Sequence, residues 1–329
     1  MAQVSFAERL RYRLASPQYP DVGIEFSSDC IRLAVSGTQR GKPVLIHLDE
    51  EPLPAGALDV NPFKPNIQSM EAVANTLKTL WNRSKVKPSR ICLLLQDRAA
   101  LTFHVTLEHP AKNAADCLEL IRFKLKKSVP FRIEDAQITY FTASGTQDYS
   151  APAHWIVILN QQVLHQYEQF VESTIGAECG LVDLATFNFM NLADGAIRDA
   201  GLNDQDVFYI NFGRDSISVA ISQKQDLMFF RSRALNSGSD RWQQALEEIH
   251  PAMLYYVDKL GGQTLARAFV HSEENAEQLS AEVEKQFGVQ SSPLKLEPYS
   301  GLRYDTSNSK TLDAFVPLAG LLITRKVEF

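Results

Sequence analysis

Hydrophobic and polar positions fall into two repeated blocks, each opening with short extended runs and closing with helical stripes. Residues 22–26 and 31–35 (VGIEF, IRLAV) flank the polar Ser27-Ser28-Asp29 turn, and a further extended run follows at Val44–Leu48. Short apolar runs bounded by turn-forming residues predict a hairpin-led, three-stranded start. Beyond a proline-rich connection at 52–65, Val73, Leu77, Leu80 and Trp81 recur at i, i+4, i+7 and i+8. That is the stripe of a helix laid on a sheet. Ile91–Leu95 is apolar on both faces, as in a strand buried between two layers.

The stretch 97–160 reads as a small α+β module. It holds a strand near Leu101–Leu107, a helix with Leu118, Ile121 and Leu125 on one face, and strands at Ala136–Thr142 and His154–Leu159. The next helix, striped by Val163, Tyr167, Phe170 and Val171, stops at Gly176, a residue suited to the left-handed conformation after a helix. Gly180–Leu184 returns as a strand and leads into a helix that runs to about Asp199.

The second block repeats the opening grammar. Asp206–Asn211, the turn Gly213–Ser216, Ile217–Ile221 and Leu227–Arg231 predict strand, turn, strand, strand. Trp242, Leu246, Ile249 and Met253 keep helical spacing with Pro251 inside it, which predicts a kink or a new helix there. A strand at Ala268–His271 and helices through Ala276, Leu279, Val283, Phe287 and through Leu312, Phe315, Val316, Ala319, Leu322 complete it. An α/β unit that occurs twice predicts two related lobes facing a central cleft, the organisation of actin-like folds. The expected division is a leader at 1–19, a first lobe at 20–96 and 177–205, the inserted module at 97–176 and a second lobe at 206–329.

Charge narrows the classes of function. Lys+Arg 33 against Asp+Glu 39 gives net −6, which offers no general attraction to nucleic acid. The leader lacks a signal peptide's apolar core because Arg9, Arg11 and Arg13 interrupt Phe6, Leu10 and Leu14, so a cytoplasmic protein is expected. That leader has helical spacing, which fits either an amphipathic contact or a solvated tail. Cys30, Cys92, Cys117 and Cys179 form no CxxC pair and read as reduced thiols; the seven histidines show no metal-ligand spacing. Asp49-Glu50-Glu51 and Glu273-Glu274 read as solvated surface, as does the basic run Arg122, Lys124, Lys126, Lys127, which alternatively meets acidic lipids or an acidic partner. No P-loop, Gly-x-Ser-x-Gly or GxGxxG occurs, and no catalytic residue is nominated.

Several segments taken in order resemble the type IV pilus assembly protein PilM family and, more distantly, FtsA and actin-like ATPases. VGIEFSSDCIRLAVS (22–36) resembles the family's first phosphate hairpin, and LLLQDRAALTFHVTL (93–107) the entry into its inserted module. LELIRFKLKKSVPF (118–131) resembles a helix that ends in a Pro-Phe corner. DVFYINFGRDSISVAIS (206–222) resembles the second phosphate hairpin, and FVPLAGLL (315–322) the closing helix. The resemblance implies an actin-like fold at the inner face of the cytoplasmic membrane. It also implies capture of the N-terminal cytoplasmic peptide of a PilN-like inner-membrane partner, contact with pilus motor ATPases, and in many members ATP binding.

The resemblance implies nucleotide-facing positions at Glu25, Ser27, Ser28, Asn211, Gly213, Arg214 and Ser216. The family's Asp-x-Gly is Glu25-Phe26-Ser27 here, its second acid is Asn211, and its Gly-Gly after residues 268–271 is replaced by His271-Ser272-Glu273. Phe26 is expected to add bulk where backbone meets phosphate, and Arg214 and Ser216 to favour an anion. The cleft is therefore expected to be degenerate, with MgATP a doubtful ligand; turn-forming Asn and Ser residues also account for these positions. Partner contacts are expected at Phe103, Val105, Val129, Pro130 and Phe131, between the first lobe and the module. The alternatives are an active MgATP-dependent ATPase or kinase, and the cytoplasmic half of a GspL-like secretion protein. The latter continues into a membrane span, so a chain ending at Phe329 is expected to differ from it.

Overall fold

Strand β1 (Val22–Phe26) pairs antiparallel with β2 (Cys30–Gln39), and β2 pairs antiparallel with β3 (Lys42–Pro52). On its other side β1 runs parallel to β4 (Arg90–Leu95), which runs parallel to β8 (Glu178–Leu184). The order is β3-β2-β1-β4-β8. A second sheet has the same order and the same strand directions: β11 (Asp226–Ala234), β10 (Ser216–Gln223), β9 (Asp206–Phe212), β12 (Arg267–Ser272), β13 (Ser291–Pro293). The computed structural model describes residues 19–143, 153–236, 240–296 and 312–324; the leader stripe of Phe6, Leu10 and Leu14 lies outside them.

Seven helices are described. In chain order they are α1 (Met70–Ser84), α2 (Ala114–Leu125), α3 (Gln161–Ile175), α4 (Ala185–Asp199), α5 (Arg241–Asp258), α6 (Ala276–Phe287) and α7 (Val316–Ile323). Alternation in β1 sends Val22, Ile24 and Phe26 outward, where Val73, Leu77 and Leu80 of α1 and Val163, Tyr167 and Phe170 of α3 cover them. The second sheet repeats this with Phe208, Ile210 and Phe212 under Ala245, Leu246 and Ile249 of α5 and Leu279 and Val283 of α6.

The inner faces of both sheets share one core with α4 and α7. All eight residues of α7 are buried, which is why VPLAGLLI is apolar all round. Its Val, Leu and Ile side chains each contribute about 1.5–3 kcal/mol of burial free energy. Helices α4 and α7 cross where Gly320 meets the Asn188 carbonyl; a Cβ there would lie 1.9 Å from that oxygen. The two lobes are thus joined through a helix pair whose closest approach admits no side chain.

Helix ends follow local chemistry. Gly176 closes α3 at φ 72°, in the left-handed region. Pro251 neither starts a new helix nor divides the pattern, since α5 is continuous from Arg241 to Asp258. The carbonyl that Pro251 leaves without an N–H partner belongs to Glu247, and both residues are exposed, so solvent has access to it.

The inserted sheet has the order β5 (Leu101–Thr106), β7 (Ala153–Asn160), β6 (Ala136–Ala143), antiparallel throughout. One face packs Val105, Ile156 and Ile158 on Cys117, Ile121 and Leu125 of α2. Cys117 fills the buried position expected for Leu118, which is half-buried. On the opposite face Trp155, 3% exposed, donates from Nε1 to the Leu227 carbonyl at 2.6 Å and ties the module to β11.

Because the Gly320 contact is with rigid backbone, Gly320→Ala must push α7 away from α4. It is expected to destabilise the fold by about 1–3 kcal/mol or more, read as a lower denaturant midpoint at unchanged slope.

Candidate functional site

The two hairpin turns, 27–29 and 213–215, face each other across the gap between the sheets. The register sets their chemistry. Glu25 of β1 lies opposite Arg32 of β2, and Arg32 lies opposite Glu50 of β3. The corresponding row in the second sheet is Asn211 of β9, Ser218 of β10 and Ser232 of β11, with His271 of β12 beside Asn211. Each row lies near the end of its first strand and points to the inner side.

Arg32 is 2% exposed, yet all three of its guanidinium nitrogens are engaged. Nε donates to Glu50 at 2.7 Å, Nη1 to Glu25 at 3.4 Å and to Ser27 Oγ at 3.5 Å, and Nη2 to Glu273 at 2.5 Å. Glu273 follows β12, so this last bond joins the two halves of the chain. Burial pushes the Glu25 carboxyl up to about 7, against the lowering effect of Arg32. Glu273 is held below the usual carboxylate range because Arg32 outweighs its burial. Of the two carboxyls with opposite shifts, Glu25 is the one that holds its proton more tightly.

More ion pairs cross the gap. Arg98 meets Asp215 at 2.6 Å and Arg214 meets Asp29 at 3.0 Å, so each turn is clipped by an arginine from the other half. Ser28 hydrogen-bonds the Asp215 carboxylate. Arg241 pairs with Glu274 and donates to the Gly213 carbonyl at 2.8 Å. Asp97, in a 3-10 turn directly after β4, is fully buried. It accepts from Thr186 N at 3.0 Å, Thr186 Oγ1 at 2.5 Å and Ser218 Oγ at 2.7 Å. Burial raises the Asp97 carboxyl, and these hydrogen bonds oppose the rise. From Thr186 the chain continues to Asn211 Nδ2 at 2.8 Å, while Asn211 Oδ1 and His271 Nδ1 lie 2.7 Å apart. Burial drives His271 down to about 4, so it is neutral at physiological pH.

The nucleotide-facing positions expected from sequence therefore gather at one place. Glu25, Ser27 and Asn211 are buried in these networks, Ser28 and Arg214 bridge the turns, and Gly213 donates its N–H to the Ser216 carbonyl at 2.9 Å. Phe26 does not intrude: strand alternation turns its ring outward, 5.3 Å from Tyr167 and 6.1 Å from Phe170. Two of the carboxylates read as solvated surface are corrected as well, while Glu274 is exposed as expected. Glu273 and Asp49 are buried, and Asp49 pairs with Arg83 at 2.7 Å. Arg32, Asp97, Arg98, Thr186, Asp215 and Ser218 escaped sequence reading. Arg32 carried a signal, a charge inside the apolar run CIRLAVS, and so did Asp97, an acid just past the C-terminal end of a buried parallel strand.

A separate cavity of about 770 Å³ lies between the module and the first lobe. Its floor is the face of β6 and β7 that carries Gln137, Thr139, Phe141, Trp155, Val157 and Leu159. Its main wall is β8, with Phe187 and Met190 of α4 and Asp226 and Leu227 of the second lobe closing the rest; every residue of β8 from Cys179 to Leu184 contributes. Only a strand that presents its edge does this, and β8 is the outer strand of its sheet. The charged lining groups are Glu168, Asp183 and Asp226, all acidic. The partner contacts expected from sequence sit elsewhere in the module. Val105 and Val129 lie in its own core, Phe103 and Phe131 pack against that core, and Pro130 is exposed.

No protein-family model matches the chain. No curated protein sequence matches it. Solved structures define the class: the fold is actin-like α/β. A protein with actin-like ATPase fold and unknown function from Bacteroides thetaiotaomicron aligns with TM-score 0.50 and 13% identity, over 97% of this chain and 99% of that one. The PilM-PilN type IV pilus biogenesis complex aligns with TM-score 0.74 and 14% identity, over 95% of this chain and 100% of that one. The cytoplasmic domain of EpsL, an inner membrane component of the type II secretion system of Vibrio cholerae, aligns with TM-score 0.49 and 8% identity, over 94% and 95% of the two chains. Among the described residues no helix is long and apolar enough to cross a membrane.

Two outcomes test the Arg32 network. Arg32→Leu leaves buried carboxylates without their cation and is expected to cost about 3–5 kcal/mol in chemical denaturation. Glu25 has a folded pKa above its unfolded value of 4.5, so the unfolded chain releases that proton first as pH rises. Its contribution to stability falls between 4.5 and about 7 and is flat above. Glu25→Gln removes that slope: its melting temperature relative to the unaltered protein is expected to be highest above pH 7 and to decline toward pH 4.5.

Proposed function

We propose that this chain is a peptide-capturing scaffold of a bacterial inner-membrane assembly platform of the PilM kind, with a degenerate nucleotide cleft. The observation that carries the reading is the groove of about 770 Å³ along the edge of β8. An extended segment laid along this outer strand adds to its sheet, while the apolar floor takes alternate side chains. The acidic lining favours a segment with positive charge. The occupant that the resemblance implies is the short cytoplasmic N-terminal segment of a PilN-like, single-span inner-membrane protein. Such a scaffold works in the cytoplasm and reaches the membrane through its partner, with pilus motor ATPases as further contacts. The fold shared with the PilM-PilN complex supports the assignment.

The cleft supports the second half of the proposal. A nucleotide phosphate needs free N–H groups and cations, with an acid near its metal. Here Arg32, Arg98, Arg214 and Arg241 are consumed by the chain's own carboxylates, and Asp29 and Asp215 line the two turns with negative charge. Those residues do not fit a magnesium nucleotide.

Calorimetry against the N-terminal cytoplasmic segment of a single-span protein encoded beside this chain is expected to show binding. Thr139→Arg, at an exposed position on the groove floor, is expected to weaken it at least about tenfold by filling the groove and repelling a cationic ligand. No heat and no complex on gel filtration overturns the reading. Millimolar MgATP is expected to leave the melting temperature unchanged, whereas a bound nucleotide would raise it according to RT ln(1 + [L]/Kd).

A further inference from the structure

The inserted module carries a patch whose charge opposes that of the whole chain. Five basic residues, Arg122, Lys124, Lys126, Lys127 and Arg132, and no acidic one lie between Leu120 and Ile133, in a chain of net charge −6. Helix α2 buries Cys117, Ile121 and Leu125 against its sheet, which fixes Phe123 on the outer side. There Phe123 is 84% exposed, more than any other large apolar side chain described. Lys126 and Lys127, three and four residues on, are exposed beside it. The inner cations are tied back: Lys124 Nζ donates to the Thr106 carbonyl at 2.6 Å and Arg122 Nη1 to the Ile133 carbonyl at 2.8 Å. The nearest acids in sequence are Glu119, one turn earlier, and Glu134 and Asp135, each 3.9 Å from Arg132.

We propose that this patch seats the module on an anionic bilayer surface, with Phe123 entering the headgroup region and Lys126 and Lys127 meeting lipid phosphates. An aromatic anchor for a protein partner usually sits in a well-packed setting, ringed by contacts that exclude water. Phe123 stands among lysines instead. A fluid interface closes around a single ring without a preformed pocket, and lysines beside it gain about fivefold in affinity each from the surface potential. The contact is independent of peptide capture, because the module's sheet separates α2 from the groove: Ile156 and Ile158 face the helix, Trp155, Val157 and Leu159 the cavity.

The test is co-sedimentation of the full chain with phosphatidylcholine vesicles containing, or lacking, about a third phosphatidylglycerol. Binding is expected to the anionic vesicles only, to fall steeply with salt, and to weaken about tenfold or more in Phe123→Ser. Lys126→Glu with Lys127→Glu is expected to abolish it. These positions are exposed, so circular dichroism and melting temperature stay at the unaltered values. Equal binding to both vesicle types, none to either, or anionic binding indifferent to these substitutions overturns the proposal. So does retention on immobilised poly-glutamate, lost in the same variants, without vesicle binding; it assigns the patch to an acidic polypeptide.

Discussion

A single guanidinium, buried among three carboxylates, sets what the rest of this molecule can do. Removing Arg32 and its partners from water is costly, and the cost is offset only if every nitrogen finds an acceptor. The planar fork of arginine reaches Glu50, Glu25 and Glu273 at once, which the point charge of lysine would not do. Because Glu25, Arg32 and Glu50 stand on neighbouring strands and Glu273 on the other half of the chain, one side chain orders the first sheet's inner row and holds the second lobe to it. The space between the hairpins is therefore taken up by the chain's own charges.

Comparison of the two rows explains how a duplicated unit came to be asymmetric. The first reads Glu50, Arg32, Glu25; the second reads Ser232, Ser218, Asn211, His271. The first is charged and self-paired, the second neutral and hydrogen-bonded, with His271 kept neutral by burial. Asp97 spans them by accepting from Thr186 at the start of α4 and from Ser218 on β10. Its charge faces the positive end of α4, a favourable place for a carboxylate. The backbone duplication survives because the outer faces and α7 still pack, while the inner rows were free to diverge into complementary halves of one network.

Much of this architecture was legible in the sequence, for reasons tied to particular residues. Alternation around Ser27-Ser28-Asp29 and around Gly213–Ser216 places both hairpins, and the stripe from Leu312 to Leu322 places the last helix, which starts at Val316 after a 3-10 turn and is buried on every side. What escaped was long-range pairing. Glu273 looks like surface until Arg32, 241 residues away, is brought beside it. Phe26 looked obstructive because its neighbour Glu25 faces the gap, and only strand register shows the ring on the other side. The groove escaped for a different reason. Strand β7 is apolar on both faces, so periodicity alone does not say that Ile156 and Ile158 pack on a helix while Trp155, Val157 and Leu159 line a cavity. Of the partner contacts expected from sequence, Phe103, Val105, Val129 and Phe131 pack in or against the module's own core, a placement that an apolar run alone does not reveal.

The two candidate binding places differ in physical character, and that difference carries the functional reading. Between the hairpins every cation has its acid and nearly every buried carboxylate its donors, so a ligand there would have to break bonds before making any. Along β8 the opposite holds. An outer strand presents backbone groups, and proteins generally shield such an edge with a neighbouring layer or with charge. Here the module's sheet stands over it without closing on it. The groove between them measures about 770 Å³. It is within the range of sites that hold ligands. A groove floored largely by apolar side chains and walled by an outer strand favours an extended segment over a compact one.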